Sequence, residues 1–420
     1  MSYIRYPWYY KEFQCIASAC SDSCCIGWEI NIDEETWEKY HKVDGDFGKR
    51  LQENIQTFQE GDGNCHCFSM DESQRCPFLN EKNLCDIIIN LGEEYLGQIC
   101  TDHPRYYDWF LDGKECGIGL CCEEAARLIL QEGDGARLEQ EEEQDVSFDV
   151  HREQEEEQDV SFDVHREQEE EQDVSFDVQR ELEEEQEISF VTPRELEKKL
   201  FEMREELFSV IEPKFESESQ KMQETFQEIS NVNRLFQKMD RLYDAAYELQ
   251  EEYDNWMFPE EVWEDGIEEE AFPTWEQTFW KEGFLQQLVD FYLDLVINED
   301  AWRKLLKEVK EQIPEILRAK EVFFGIHRES LYEYENLLIY FIYRHFMSAR
   351  NDDEVAEKVV FALVSTGIIQ LLGVFRWLKK DKKKLEEADQ IAICKLYSQE
   401  IEYHEENMNK VAGCLKFFEE

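Results

Sequence analysis

From Thr192 to the end of the chain, apolar residues recur at three- and four-residue intervals, the spacing that gathers them on one face of a helix. Leu196, Leu200, Met203 and Leu207 open the series. Thr192-Pro193-Arg194-Glu195 supplies its start, with a threonine N-cap, a proline in the first turn and a glutamate placed to close a capping box. Further runs of this period over residues 220–252, 276–297, 300–320, 329–349, 353–378 and 384–417 predict a region that is helical throughout. The aromatic-rich stretch from Trp256 to Phe279 is expected to connect two of these runs. Val359 to Phe375 is uncharged but only seventeen residues long, and it carries Ser365, Thr366, Gly367, Gln370 and Gly373. A membrane span wants roughly 20 apolar residues, so a buried helix and no membrane span are expected.

The first 130 residues are patterned differently. Tyr6 to Trp28 reads as loop and short helix. Asp33 is placed to cap a helix opening at Thr36, and Gly61 and Gly63 mark a turn. Weak alternation from Cys67 to Phe78 predicts a short hairpin. Cys85 to Cys100 predicts one short helix, with Cys85 near its start and Cys100 just beyond its second half. Pro104 to Glu115 reads as strand and turn around Asp112-Gly113, and Glu123 to Leu130 as a helix. Between the two regions lies a tandem repeat, E-Q-E-E-E-Q-D-V-S-F-D-V-H-R, starting at Glu139, Glu153 and Glu167, with a decayed copy from Glu181. Its fourteen-residue period equals two heptads, but Val146, Phe148 and Val150 are spaced by two and make no coiled-coil seam. A solvated insertion is expected, with a helical arm as the second reading. His151 and His165 recur because the repeat does. The organisation is therefore 1–138, a cysteine-rich metal-binding domain; 139–190, an acidic insertion; and 191–420, a helical domain. The fold class is mainly α, a loop-rich cysteine-ligated N-terminal domain joined to an all-α C-terminal one.

Charge narrows the function. At a formal −55 over 420 residues, the chain would repel a phosphate backbone, which excludes nucleic acid as a partner. Residues 139–190 hold 23 acidic residues against three arginines, and the remainder is still strongly acidic. The basic run from Lys379 to Lys384 suits a helix C-terminus. A basic or lysine-bearing substrate fits this surface. The opening residues show no secretory signal, so a cytoplasmic protein with reduced thiols is expected.

Twelve of the fourteen cysteines fall between Cys15 and Cys122. Small buried hydrophobes account for one or two cysteines, as for Cys394 and Cys414, but not for twelve. Clustered thiols in a reducing compartment point to metal. No paired C-x2-C knuckle of the zinc-ribbon kind occurs, whereas iron–sulfur clusters accept more varied spacings, which puts iron–sulfur ahead of zinc. The candidate ligands are Cys15, Cys20, Cys24, Cys25, Cys67, Cys76, Cys85, Cys100 and Cys122, with Cys65 and Cys121 as bystanders. His66 and His103 read as surface or structural histidines.

Cys76-Pro77-Phe78-Leu79 running to Cys85, a further cysteine at Cys100 after fourteen intervening residues, and Cys24-Cys25-Ile26-Gly27-Trp28 resemble the CxxCxxCC family of zinc- or iron-chelating proteins. The longer pattern is similar to its flagellin lysine N-methylase branch: Tyr6-Pro7-Trp8-Tyr9, Leu91 to Leu96, Cys121 to Leu128 and Glu335 to Met347. That branch often has Ser-Cys-Pro-Glu where this chain has Cys121-Cys122-Glu123-Glu124, so Cys122 holds the family position. The resemblance implies a 4Fe–4S protein that transfers a methyl group from S-adenosylmethionine to flagellin lysines. Asp22, Asp102, Tyr106 and Tyr107 beside the cysteines, and Tyr340, Tyr343, Arg344 and His345 in the C-terminal match, are the groups that could orient the amine. No C-x3-C-x2-C triad and no strand–glycine-loop–helix unit marks where the methyl donor binds. The alternatives are a non-enzymatic iron–sulfur or zinc module or metal sensor, and an acidic protein that docks a basic partner.

Overall fold

A computed structural model describes residues 2–21, 26, 30–60, 63–71, 75–133, 135–142, 191–212, 231–258, 274–298 and 300–417. The repeat beyond Glu142, and the expected helical residues 220–230, lie outside them.

The N-terminal part holds two small sheets. In the first, β5 (Arg105–Phe110) and β6 (Gly113–Ile118) form a hairpin whose two-residue turn is Leu111-Asp112, one position before the expected Asp112-Gly113, because Gly113 already pairs with Phe110. Then β1 (Tyr3–Pro7) adds parallel to β6, and β7 (Leu138–Glu142) antiparallel to β1, giving the order β5-β6-β1-β7. In the second, β2 (Asn31–Ile32) and β3 (Ile55–Glu60) flank β4 (Gly63–Phe68). The hairpin on this side thus precedes the Cys67–Phe78 stretch, where Pro77 interrupts any ladder. That stretch instead contributes one isolated bridge, Arg75 with Ile26, and a second follows it, Leu79 with Cys85.

Short helices fill the gaps. Asp33 caps α1 (Glu34–His41), accepting from the Thr36 N–H at 2.8 Å, and α2 (Gly45–Glu53) follows. The single helix expected between Cys85 and Cys100 is broken into α3 (Asp86–Leu91) and α4 (Gln98–Asp102). Gly92 ends the first piece at φ +102°, a backbone conformation open to glycine and strained for other residues. Helix α5 (Glu123–Leu130) occupies its expected residues.

The remainder is helical: α6 (Pro193–Ile211), α7 (Asn231–Met257), α8 (Trp275–Phe279), α9 (Glu282–Asp294), α10 (Asp300–Ile326), α11 (Tyr332–His345), α12 (Val355–Lys379), α13 (Glu387–Ile401) and α14 (Glu405–Ala412). The Thr192–Glu195 capping box forms. Two expected runs are interrupted, 276–297 at Trp280-Lys281 and 384–417 at Glu402 to His404. Helix α12 is the hub, packed by α7, α10, α11, α13 and α14. It is long and apolar enough to cross a membrane, but its apolar span is wholly buried among those neighbours.

One hydrophobic core joins the helices to α5 and to Tyr9, Phe13, Ile118 and Leu120 of the N-terminal part. A buried ion pair fastens the two regions: Arg204 on α6 grips Glu115 on β6 at 2.6 and 2.5 Å. The Tyr343 hydroxyl on α11 donates to the Cys116 carbonyl at 3.0 Å. A second cluster, built on Ile30, Tyr40, Leu51, Phe68, Phe78 and Ile87, sits under the second sheet.

Candidate active-site cavity and the cysteine cluster

A cavity of about 780 Å³ opens between these two packed units. One bank is Asn31 to Asp33, Gln98, Ile99 and Asp102 to Tyr107, from β2, α4 and the start of β5. The other is Gly119, Arg344, Glu402, Tyr403, Glu405 and Met408, from the turn before α5 and from α11, α13 and α14. The break between α13 and α14 gives this bank its shape, because it turns Glu402 and Tyr403 inward where a continuous helix would carry the chain past.

The floor is a polar network in a buried setting. The Arg344 guanidinium lies 3.1 Å from the Glu402 carboxylate, and Tyr340 donates to the same carboxylate at 3.0 Å. His345 Nε2 is 2.9 Å from it. Arg344 also donates to the Tyr340 hydroxyl, which the Leu120 N–H reaches at 3.2 Å. Burial by itself would raise the Glu402 carboxyl, but Arg344 and His345 outweigh it and hold the group down at about 2. The Arg344 guanidinium lies over the Tyr106 ring at 4.6 Å. Tyr106 itself lies flat across its β6 partner Gly117, where a Cβ would fall 2.2 Å from the tyrosine ring and hydroxyl. Beside the network, the Tyr403 hydroxyl donates to Cys121 Sγ at 2.7 Å, and burial raises that thiol to about 12.

At the other bank, Asp102 accepts from Gln98 Nε2 at 2.6 Å and from the Tyr107 hydroxyl at 3.5 Å. Asp33 reaches the Gln98 N–H at 3.0 Å, tying β2 to α4. Burial brings the His103 imidazole down to about 4, so it is neutral at ordinary pH.

The cysteines divide into groups. Cys76 belongs to the second apolar cluster and Cys85 and Cys100 pack against it, as does Tyr40, whose hydroxyl donates to the Tyr95 carbonyl at 2.8 Å and is made less acidic by burial. Burial pushes Cys76 up to about 11, and the Leu79 N–H donates to the Cys76 carbonyl at 3.0 Å. Ile26, the residue after Cys25, bridges Arg75, the residue before Cys76. Cys20 and Ser21 contact Glu123 at the start of α5, next to Cys122. Cys15 is exposed, and Cys67 is buried in β4. Cys24, Cys25 and Asp22 lie outside the described residues. Among the described residues no three His, Cys, Asp or Glu side chains converge closely enough to hold a metal ion. Thiols are the donors a thiolate-held centre takes, but the described residues do not bring them together into one.

The family model of the FliB lysine N-methylase C-terminal domain matches residues 155–420. The chain belongs to this family. Among curated proteins, the flagellar biosynthetic protein FliU of Salmonella muenchen is 30% identical over 134 residues, covering 31% of this chain and 79% of that protein. A lysine-N-methylase of Salmonella typhimurium is 28% identical over 136 residues, 32% of this chain, and the match spans only 34% of that relative's length. The lysine-N-methylase of Salmonella choleraesuis gives the same figures. No solved structure matches the chain.

Within this FliB-family chain, the cavity collects Asp102, Tyr106, Tyr107 and Arg344 from the expected orienting groups, with Tyr340 and His345 behind them. Tyr343 is diverted to the β6 backbone and is structural. His66 stacks on Trp37 at 4.5 Å and shares a hydrogen bond with Thr57, also a structural role. Cys394 and Cys414 are fully buried in the helical core. Sequence reasoning missed Arg105, Glu402, Tyr403 and Glu405. The available signal was weak: a Glu-Tyr-His-Glu-Glu run interrupting an otherwise helical pattern.

Proposed function

We propose that this chain methylates lysine side chains of flagellin with S-adenosylmethionine as the donor, and that its N-terminal cysteines hold an iron–sulfur cluster. Family membership supports the reaction class. The observation that carries the placement is the cavity of about 780 Å³ with tyrosines and carboxylates on both banks; small-molecule sites ordinarily measure roughly 300–1,000 Å³. S-adenosylmethionine supplies an electrophilic methyl group on a sulfonium, a cation suited to aromatic faces and carboxylates.

The chain's own residues then have separable tasks. A lysine ammonium has no lone pair, so the site must favour the neutral amine, which desolvation between the two banks does. Asp102, with the Tyr107 hydroxyl beside it, stands where it can hold the ammonium and accept its proton. Glu402 is unsuited to that role, because Arg344 holds its carboxyl at about 2; its task is to fix Arg344 and, through it, the Tyr106 ring. An iron–sulfur cluster supplies a thiolate-held iron centre. Cys76, Cys85 and Cys100 would hold it, with further ligands drawn from Cys15, Cys20, Cys24, Cys25, Cys67 and Cys122.

The test is transfer of labelled methyl from S-adenosylmethionine to flagellin by anaerobically purified protein containing iron and sulfide. Label recovered in methylated lysine after hydrolysis is the expected result. Cluster-replete protein that transfers none would overturn the reading.

A further inference from the structure

A cavity touched by Arg105, Tyr106 and Tyr107 together has a specific position relative to their strand. Successive side chains of a strand point to opposite faces, so a space that meets three in a row, with Asp102 to Pro104 before them and Gly119 across from them, wraps the start of the strand. From there β5 offers an open edge, because it ends its sheet, with β6 on one side and no strand on the other among the described residues. The register says which main-chain groups face outward. The Gly119 N–H bonds the Pro104 carbonyl at 2.9 Å, and β5 joins β6 through the two-residue turn Leu111-Asp112. In an antiparallel pair, hydrogen-bonded and non-bonded positions alternate, so positions 106, 108 and 110 bond to β6. The N–H and C=O groups of Arg105, Tyr107 and Trp109 then face the open edge.

Such edges are ordinarily blunted by proline, by bulges or by inward charge. Here the row continues out of the cavity as Tyr107, Trp109 and Leu111, exposed at 40%, 53% and 48%. Carboxylates stand at the cavity end: Asp33, Asp102 and Glu405. The arginines there are engaged, Arg344 by Glu402 and Arg105 over the Phe13 ring at 5.0 Å. Main-chain donors and acceptors, an apolar row and these carboxylates together describe an extended peptide carrying a cation.

We propose that the open edge of β5 receives the lysine-bearing segment of the substrate protein as an added strand, which delivers the lysine side chain into the cavity beside Tyr106 and Tyr107. The identity of the substrate rests on the methylase function proposed above; the docking mode rests on the edge itself. Strand addition supplies affinity through main-chain bonds and takes specificity from alternate side chains. The enzyme would therefore demand an unpaired or locally opened segment around its target lysine and tolerate varied sequence there.

Trp109→Pro removes one outward N–H and leaves the bonds to β6 in place, since proline is accepted at such edge positions. Trp109→Ala keeps the N–H and removes only the indole. Trp109→Pro is expected to raise KM for flagellin about three- to tenfold, one lost hydrogen bond, and more than Trp109→Ala does. Methylation of Nα-acetyl-lysine methylamide, too short to pair, should be unchanged in both. A second arm needs neither variant nor catalysis. A peptide of about ten residues around a flagellin surface lysine, long enough to span the edge, should bind wild-type protein more weakly once alternate backbone amides are N-methylated. Equal flagellin KM for wild type and folded Trp109→Pro, or binding indifferent to backbone N-methylation, would overturn the proposal. So would a wild-type dimer that Trp109→Pro converts to monomer with unchanged flagellin KM, because the edge would then belong to a second copy. Backbone-sensitive peptide binding without methyl transfer would sustain the docking mode and sink the methylase function instead.

Discussion

Glu402 is fully shielded from solvent, yet it is surrounded by Arg344, His345 and the Tyr340 hydroxyl. Its carboxyl is held at about 2 in the folded chain against an ordinary 4.5. A depressed folded value means the carboxylate stabilises the fold fully above about pH 4.5, and that stability is lost as pH falls through about 2. The amount is about 3 kcal/mol at 1.36 kcal/mol per pH unit. Glu402→Gln should cost about 3–5 kcal/mol at pH 7, because Arg344 is left buried without its counter-charge. It should also flatten the acid limb of stability. Urea unfolding at pH 7 and at pH 3 checks both; a variant whose stability falls with acid as steeply as wild type would show that Glu402 does not carry that limb.

Among the elements, α12 combines near-complete burial with small residues where its neighbours come closest. A Cβ at Gly367 would fall 2.5 Å from the Phe279 ring of α8, itself fully buried. Alanine improves helix propensity by about 1 kcal/mol over glycine, but overpacking a closed core costs about 1–3 kcal/mol. The ring has no room to retreat, so the second effect wins. Gly367→Ala should therefore lower the urea midpoint without changing the slope of the transition. A gain in stability would mean that α8 moves freely on α12. The same scale explains where helix prediction stopped short. Period alone runs on through Trp280-Lys281 and through Glu402 to His404, whereas packing around α12 requires the chain to turn at both points.

At the scale of the molecule, the cavity lies between two apolar clusters that are built separately, and it takes its two banks from elements on either side. The cysteines follow the same division. If the second cluster encloses the iron centre, Cys76→Ser, Cys85→Ser and Cys100→Ser should each lose iron and sulfide in anaerobic preparations. Cys394→Ser and Cys414→Ser lie in the helical core and should keep both. Full iron content in all three of the first set would remove these thiols from the ligand set.

Local chemistry decided what could be read locally. The Asp33 and Thr192 caps, the β5–β6 hairpin, helix α5 and the buried helix around Val359 to Phe375 each depend on residues within a few positions of one another. The concentration of twelve cysteines in one region was likewise explicit. What needed the folded chain was every partnership across long separations. Strand β1 finds β6 and β7 more than a hundred residues away, and Arg105, Arg344 and Glu402 meet at one cavity from three distant segments. Periodicity reports which face of an element is buried, but not against what. The partner is chosen by the packing of the whole core, and that packing placed Glu402 and Tyr403 at the cavity and Tyr343 on the β6 backbone.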